Sequence, residues 1–176
     1  MSMKAFVIFG SPNPEGHTAK AVDGLLAQLG VTERELFSCF ERYVASCCDC
    51  RACAAGSGCV LRDEFSKLVA GARAADLLIF AYPIYFEGMP APMKAVIDRM
   101  QQFFYREKVC GRMPVGEAKA AAVVTMGGNK VGDVHDGVLT FASRALGARY
   151  FGHAAVRNTD TEPDFTELYA LAEKLK

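Results

Sequence analysis

The chain has 176 residues, 51% of them hydrophobic, and its 20 basic residues balance its 20 acidic residues. A neutral chain without a long basic block argues against nucleic acid or an anionic membrane as the main partner, because both need a basic face. The length and the hydrophobic content fit one domain over residues 1–176 that binds a small molecule or another protein.

In the first half of the chain, continuous apolar runs alternate with segments whose apolar residues recur at helical spacing. Residues 5–9 form a continuous apolar run, which predicts a strand buried on both faces, and helical spacing follows over about 17–29. A more polar stretch over 33–37 predicts a short strand at a sheet edge. Apolar residues from 65 to 72 then predict a second helix, and the run over 77–81 predicts another buried strand.

The second half continues the alternation, with long irregular stretches predicted only at the cysteine-rich segment and at about 105–118. Its predicted elements are a helix from 93 to 103 or 104, a strand over 120–126, a helix over 134–145, a strand over 150–156 and a helix over 165–175. Strict alternation indicates an α/β fold with a doubly wound, five-stranded parallel sheet of strand order 2-1-3-4-5. In that fold, ligands lie beyond the carboxyl ends of the strands.

The N-terminus has only about five apolar residues before Gly10, too few for a signal peptide or a membrane span. We therefore expect a cytoplasmic protein, in which seven cysteines are not a disulfide scaffold. Cys39 and Cys110 lie outside the cysteine-rich segment and are expected to be small buried hydrophobic residues.

Four cysteines follow a C-x2-C-x2-C-x5-C pattern, and Cys48 adds a fifth thiol to the segment. Thiols spaced so closely suit an iron–sulfur cluster or zinc, although metal-free thiols fit the pattern as well. The candidate metal ligands are Cys47, Cys50, Cys53 and Cys59.

The loop after the first strand has the composition of an anion site. Gly16 allows close approach of the backbone, and free amides at the start of the next helix attract an anion. Because His17 replaces the lysine of a nucleotide-triphosphatase loop, one terminal phosphate is favoured over a polyphosphate. The alternative is an ordinary turn in which Thr18 caps the helix. Ser11, Asn13 and Thr18 add neutral hydrogen-bond donors.

Two further loops follow the third and fourth strands. Residues 82–90 combine aromatic residues with prolines, which predicts a rigid apolar ledge for a flat ring; the alternative places Tyr85 and Phe86 in the core or a subunit interface. Gly127 and Gly128 would let main-chain amides approach a ligand, unless they form an ordinary strand-to-helix turn.

Together these loops resemble those of the flavodoxin-like, NAD(P)H-dependent FMN reductases, and within that group the iron–sulfur flavoproteins. The similarity runs along about the first two-thirds of the chain. The matching residues are Gly10-Ser11-Pro12 with Gly16-His17-Thr18, the cysteine segment with Val60, Asp63 and Glu64, the run Tyr82-Pro83-Ile84-Tyr85-Phe86, and Lys94 with Asp98-Arg99.

The resemblance implies a flavodoxin-like FMN-binding domain in which the FMN phosphate is held by Ser11, Asn13, Gly16, His17 and Thr18. It also implies that Pro83, Ile84, Tyr85 and Phe86 line the isoalloxazine ring, with Gly127 and Gly128 closing over it. Cys47, Cys50, Cys53 and Cys59 take the positions of [4Fe–4S] ligands. A homodimer or homotetramer is implied as well. Lys94, Asp98 and Arg99 then lie at a site edge or interface, unless they form a solvated or internally paired helix face.

The function expected from this resemblance is that of an FMN-dependent oxidoreductase, or electron-transfer flavoprotein. It would take electrons from NAD(P)H or a ferredoxin, relay them through a [4Fe–4S] cluster, and pass them to a small-molecule or protein acceptor. One alternative is a cluster-free NAD(P)H reductase of quinones, nitro compounds or free flavin. Another is a non-catalytic metal-binding or redox-sensing module. Catalytic residues are not assigned, because His135 and His153 have no paired motif and a flavin carries its own chemistry.

Overall fold

The fold is seen in a computed structural model that describes residues 3–56, 58–111, 117–130 and 134–176, with the side chains of 108–110 left out. One five-stranded parallel sheet has the strand order β2-β1-β3-β4-β5, which confirms the predicted doubly wound topology. The strands are β1 (Lys4–Phe9), β2 (Glu33–Ser38), β3 (Leu77–Pro83), β4 (Ala118–Thr125) and β5 (Ala148–Val156).

The α-helices flank the sheet, and none in the described ranges combines the length and the hydropathy that a membrane span requires. They are α1 (His17–Leu29), α2 (Phe65–Arg73), α3 (Ala91–Arg99), α4 (Gln101–Cys110), α5 (Asp136–Ala145) and α6 (Thr166–Leu175). A short 3-10 helix, Ala52–Ala55, lies within the cysteine-rich segment.

The predicted third helix is two helices, because the ladder of hydrogen bonds tightens at Met100. The Met100 amide donates to the carbonyl of Ile97, and the Phe103 amide donates to that of Met100, both at 2.9 Å. Such i to i+3 bonds interrupt the α-helical pattern. The prediction of an irregular stretch over 105–118 is wrong up to residue 110, where α4 ends; residues 112–116 of that stretch lie outside those described.

Two apolar layers cover the sheet, one on each face. On one face α2, α3 and α5 pack through residues such as Leu68, Val96 and Leu139. On the other, α1 and α6 pack through residues such as Leu25 and Leu168. Because both faces of the sheet are buried, the central strands are mostly apolar. Their sequences are therefore continuous apolar runs, the pattern that predicts a buried strand.

The two edge strands differ from the central ones. In β2 the first four residues are exposed, and Glu33 and Glu35 lie 3.8 and 3.9 Å from Lys4 of β1, so the predicted polar edge is confirmed. At the other edge, β5 carries a bulge where its register with β4 shifts between Ala120 and Ala122. Gly152 takes the required positive φ of 114°.

Two helical glycines make a matched pair for testing the packing. A Cβ added at Gly71 would lie 2.2 Å from the ring of Phe6, which is 1% exposed. Although alanine is favoured over glycine in a helix by about 1 kcal/mol, overpacking costs about 1–3 kcal/mol. We therefore expect Gly71→Ala to lower the free energy of unfolding by about 1 kcal/mol, as measured by urea denaturation.

The control is Gly24→Ala in α1. There the added Cβ would meet only the terminal Cδ2 of Leu168, at 3.3 Å, so the variant should be neutral or up to about 1 kcal/mol more stable. Equal shifts in the two variants would contradict the packing argument.

Candidate functional site

The loops that follow β1, β3 and β4 meet at the carboxyl edge of the sheet. The Gly10 amide donates to the carbonyl of Ala81 at 2.7 Å, and the Ile84 amide donates to that of Thr125 at 2.9 Å. These bonds extend the sheet by one residue into each loop. The three predicted loops therefore lie side by side, at the place where doubly wound folds bind ligands.

The N-terminus of α1 faces this edge without a side-chain cap. Gly16 is the N-cap residue, no side chain bonds its free amides, and the first turn carries no acidic residue. The alternative in which Thr18 caps the helix is wrong, because its hydroxyl lies 2.8 Å from that of Thr125 and is buried. One of these two hydroxyls keeps a proton to donate. The helix start thus offers amides and a positive dipole end to an anion.

The loop before α1 is shaped by its own side chains. The Asn13 amide donates to Ser11 Oγ at 3.2 Å, and the Glu15 amide donates to Asn13 Oδ1 at 3.1 Å. The Gly16 amide donates to the Asn13 carbonyl at 3.3 Å. These bonds fix the conformation of the loop ahead of the helix.

The aromatic loop ends in a tight, strained turn. The amides of Tyr85 and Gly88 donate to each other's carbonyls at 2.9 and 3.1 Å. Phe86 and Glu87 both have positive φ, 50° and 65°, a conformation that costs L-residues about 1–2 kcal/mol each. The alternative core position is wrong for both aromatic residues: Phe86 is 105% exposed and Tyr85 is 50% exposed. Strain of this kind is typical of a functional position.

The glycine loop is covered by a fourth loop that sequence reasoning did not include. The amides of Asn158 and Thr159 donate to the carbonyls of Gly128 and Met126 at 3.0 and 3.1 Å. A Cβ added at Gly127 would lie 2.1 Å from Oδ2 of Asp160. Gly127 is therefore needed for the close approach of the loop after β5.

The cysteine-rich loop gathers its thiols but does not close them into a metal site. Its five cysteines line one cavity of about 20 Å³, together with Arg99, Gln102 and Tyr105 of α3 and α4. Within the described ranges, no three His, Cys, Asp or Glu side chains form a group that could hold a metal ion. The exposed thiols are those of Cys47, Cys48 and Cys50, and the half-buried ones are those of Cys53 and Cys59.

The cysteines outside this loop have a different environment. Cys39 is buried, as predicted, with its Sγ 3.8 Å from Sδ of Met93, and burial raises the pKa of its thiol to about 12. The prediction for Cys110 concerns a side chain outside those described. Cys39 is thus a packing residue and not a metal ligand.

A buried ion pair anchors the cysteine-rich loop to α3. Arg99 Nη1 lies 2.5 Å from Asp63 Oδ2, and the two side chains are 3% and 9% exposed. Asp63 also accepts hydrogen bonds from the amides of Ala45 and Phe65 at 3.0 and 3.1 Å. Although burial alone would raise the pKa of Asp63, the bonds from Arg99 and the two amides hold it below its usual range.

The other two charged residues of the matched α3 motif pair with each other. Lys94 Nζ lies 2.5 Å from Asp98 Oδ1 across one helical turn, and both side chains are exposed. Lys94 and Asp98 thus pair within the helix, and Arg99 pairs with Asp63 of the cysteine-rich loop; that all three lie at a site edge or interface stays a prediction.

A cleft of about 600 Å³ between α3, α5 and the cysteine-rich loop was not predicted. Its lining includes Lys94 and Asp98 of α3, Val138 and Phe141 of α5, and Cys47 of the cysteine-rich loop. None of the predicted flavin-contacting residues lines this cleft. The cleft is therefore distinct from the predicted flavin contacts and borders the cysteine-rich loop at Cys47.

One cluster of titratable side chains was missed entirely. Asp136 Oδ1 accepts a hydrogen bond from the Tyr150 hydroxyl at 2.7 Å and lies 2.9 Å from Nδ1 of His153. Burial opposes ionisation of Asp136, but the bonds from Tyr150 and His153 hold its pKa below the usual range. Tyr150 and His153 face the same side only because the bulge at Gly152 adds one residue between them.

Comparison with known proteins places these features in a family context. A sequence model of the family described as "NADPH-dependent FMN reductase" matches residues 3–161. An iron-sulfur flavoprotein of Methanocaldococcus jannaschii is 32% identical over 124 residues, which is 66% of this chain and 64% of that relative. An iron-sulfur flavoprotein of Archaeoglobus fulgidus is 33% identical over 112 residues, 62% of this chain and 51% of the relative. The chain thus spans about half to two-thirds of these relatives.

Solved structures agree on the architecture. The NAD(P)H:quinone oxidoreductase from Methanothermobacter marburgensis superposes with a TM-score of 0.64 and 14% identity, covering 99% of this chain and 93% of that one. At this identity the likeness establishes the fold alone.

Proposed function

Since the chain belongs to the NADPH-dependent FMN reductase family, we propose that it is an FMN-dependent oxidoreductase that takes electrons from NAD(P)H or a ferredoxin. The observation that carries this proposal is the meeting of three loops at the uncapped start of α1. Bound FMN would supply the redox chemistry, accepting electrons in pairs and releasing them singly or in pairs. The protein's own part is to bind and orient the flavin and to shield it from water.

The FMN phosphate would lie at the start of α1. The proposed donors are the amides and side chains of Ser11, Asn13, Gly16, His17 and Thr18. The free amides of an uncapped helix and the absence of an acidic residue in its first turn support this assignment. Asn13 uses its Oδ1 within the loop, so its amide nitrogen is the group that it can offer to a phosphate.

The isoalloxazine ring would lie against the loop after β3. The proposed contacts are Pro83, Ile84, Tyr85 and Phe86, with Gly127 and Gly128 approaching from the loop after β4. The bond from Ile84 to Thr125 supports this assignment, since it joins the aromatic loop to the end of β4. The fully exposed ring of Phe86 also favours a homodimer or homotetramer, in which a second copy would cover it.

The cysteine-rich loop would hold a [4Fe–4S] cluster through Cys47, Cys50, Cys53 and Cys59. All four thiols line one cavity, and the two relatives compared above are named iron-sulfur flavoproteins. Loading would require the four sulfur atoms to converge on the cluster, since within the described residues they do not form a metal-binding group. A cluster there would relay electrons from the flavin to the acceptor.

A second candidate is a cluster-free NAD(P)H reductase of quinones, nitro compounds or free flavin. The open arrangement of the thiols within the described residues favours it.

The test uses protein produced with ample iron and purified without oxygen. We expect flavin absorption bands, bound iron and sulfide, and bleaching of the flavin by NADH, NADPH or reduced ferredoxin. Flavin with iron-free protein would favour the second candidate. Protein that takes up no FMN would overturn both and leave a non-catalytic metal-binding or redox-sensing module.

Cys50→Ser separates the roles of the loop from those of the flavin site. We expect Cys50→Ser to lose bound iron and to retain FMN, because a proposed ligand is removed while the phosphate and ring contacts remain. The matched control is Cys48→Ser. The thiol of Cys48 lies beside the proposed ligands but outside the four-cysteine pattern, so its loss should change neither the iron content nor the FMN content. Iron and FMN contents per chain, measured together, check both variants. Loss of FMN from Cys50→Ser would mean that the loop also builds the flavin site.

A further inference from the structure

Arg99 holds both ends of the cysteine-rich loop. Its Nη1 donates to the carbonyl of Ala45 at 3.1 Å and to Asp63 at 2.5 Å, and its Nη2 lies 3.5 Å from the carbonyl of Leu61. Ala45 and Leu61 bracket every cysteine of the loop. The guanidinium also lies over the ring of Phe65, 4.9 Å from its centroid. One side chain from α3 therefore fixes where the loop leaves the domain and where it returns.

The remaining nitrogen of the same guanidinium has no partner among the described residues. Arg99 Nε is fully buried and makes no hydrogen bond in the part of the chain that the structure describes. A buried N–H on a charged group without an acceptor is unfavourable and uncommon in native structures. Arg99 lines the same small cavity as the thiols of Cys47, Cys53 and Cys59. A sulfur atom of the loaded loop could therefore accept a hydrogen bond from this N–H.

We propose that Arg99 is the positioning residue of the cysteine-rich loop, and that, once the loop is loaded, its Nε–H donates to a cysteine sulfur or to a sulfur of the group those cysteines hold. The second half of this statement rests on the proposed function, whereas the first does not. Arginine suits the task because its planar fork engages several acceptors at fixed angles and keeps its charge when buried. Lysine would keep the charge but would lose both the fork and the Nε–H.

Arg99→Lys tests the positioning role in reduced, metal-free protein. Hydrogen exchange of the hydrogen-bonded loop amides, those of Ala45, Ala54 and Gly56, is expected to become about tenfold faster or more, while exchange in the sheet is unchanged. The matched control is Arg42→Lys, because Arg42 pairs with Glu64 near the same loop but at the exposed surface. Loop exchange that is the same in Arg99→Lys, Arg42→Lys and wild type would overturn the proposal.

Iron loading tests the donor role. We expect iron to be removed from Arg99→Lys by a chelator at about 10- to 100-fold lower chelator concentration than from wild type, with FMN content equal in both. The reduction potential of the loaded group should fall, since a donor to its sulfur is gone. Unchanged iron retention and potential, or wild-type protein that takes up no iron, would overturn the donor role. Missing FMN in every variant would instead count against the proposed function.

A measurement on wild-type protein covers the case in which Arg99→Lys does not fold. Protein carrying 15N-labelled arginine should show one slowly exchanging Nε–H signal with contacts to the Phe65 ring. That signal should shift when zinc is added to the metal-free thiols. A signal that exchanges fast, or that does not move with zinc, would overturn the proposal.

Discussion

Replacement of Asp63 by asparagine is expected to lower the free energy of unfolding by about 3–5 kcal/mol. Asparagine keeps the shape of Asp63 and can still accept a hydrogen bond, but it leaves the guanidinium of Arg99, 3% exposed, without a charge partner. The same change weakens the acceptor for the Ala45 and Phe65 amides. Urea denaturation of FMN-free protein at neutral pH measures the loss.

The difference between wild type and Asp63→Asn should depend on pH. The folded-state pKa of Asp63 is lowered, by its bonds from Arg99 and the two amides against the opposing effect of burial. The stability from the ionised carboxyl is therefore fully present above its unfolded pKa of about 3.9, and it is lost as pH falls through the folded pKa. The two proteins should converge in stability only as the pH falls from about 3.9 through the lower folded pKa of Asp63.

The control is Asp98→Asn on the same helix. Its partner Lys94 is exposed, and exposed pairs contribute about 0–1 kcal/mol. A loss in Asp63→Asn as small as that in Asp98→Asn would mean that the buried pair does not anchor the fold.

Replacement of His17 by glutamate is expected to lower the affinity for FMN and to raise the stability of the FMN-free protein. A carboxylate beside the FMN phosphate would repel it by about 1–4 kcal/mol, depending on the local dielectric, so affinity should fall roughly fivefold to 1,000-fold. The same carboxylate in the first turn of α1, which has no acidic residue, should stabilise the FMN-free protein by about 0.3–1 kcal/mol. Titration with FMN and thermal unfolding without it measure the two effects.

The control is His17→Gln, which removes the imidazole without adding charge. It should change FMN affinity much less than His17→Glu. Equal affinities of wild type and His17→Glu would place the phosphate elsewhere than at the start of α1.

The fold was predictable because its signals are local. Helix α1 occupies the predicted residues, 17–29, because Val22, Leu25 and Leu26 mark one buried face and Gly30 ends the helix in the left-handed region. The buried central strands are unbroken apolar runs. The division between α3 and α4 was not predictable, since apolar spacing continues through Met100 while the hydrogen-bond pattern changes.

The site was predictable only in part. Turn residues and glycines predict the three loops, and the strand order then places those loops at the carboxyl edge of the sheet. The contact between Arg99 and Asp63 spans 36 positions of the chain, so no local pattern reveals it. The cluster of Asp136, Tyr150 and His153 depends on an extra residue at Gly152. Strict alternation along the strand would place Tyr150 and His153 on opposite faces, and the extra residue brings them to the same face.

Both borders of the sheet are closed to further strands. At β2 the exposed run of Glu33, Arg34 and Glu35 would place charges against any incoming chain. At β5 the bulge interrupts the ladder, and the outward amide of Ala155 is taken by Oε2 of Glu167 at 2.9 Å. Edge-to-edge aggregation is thereby discouraged even when the flavin is absent. The proposed homodimer or homotetramer would then form through helices and loops, which would leave the carboxyl edge within reach of a neighbouring copy.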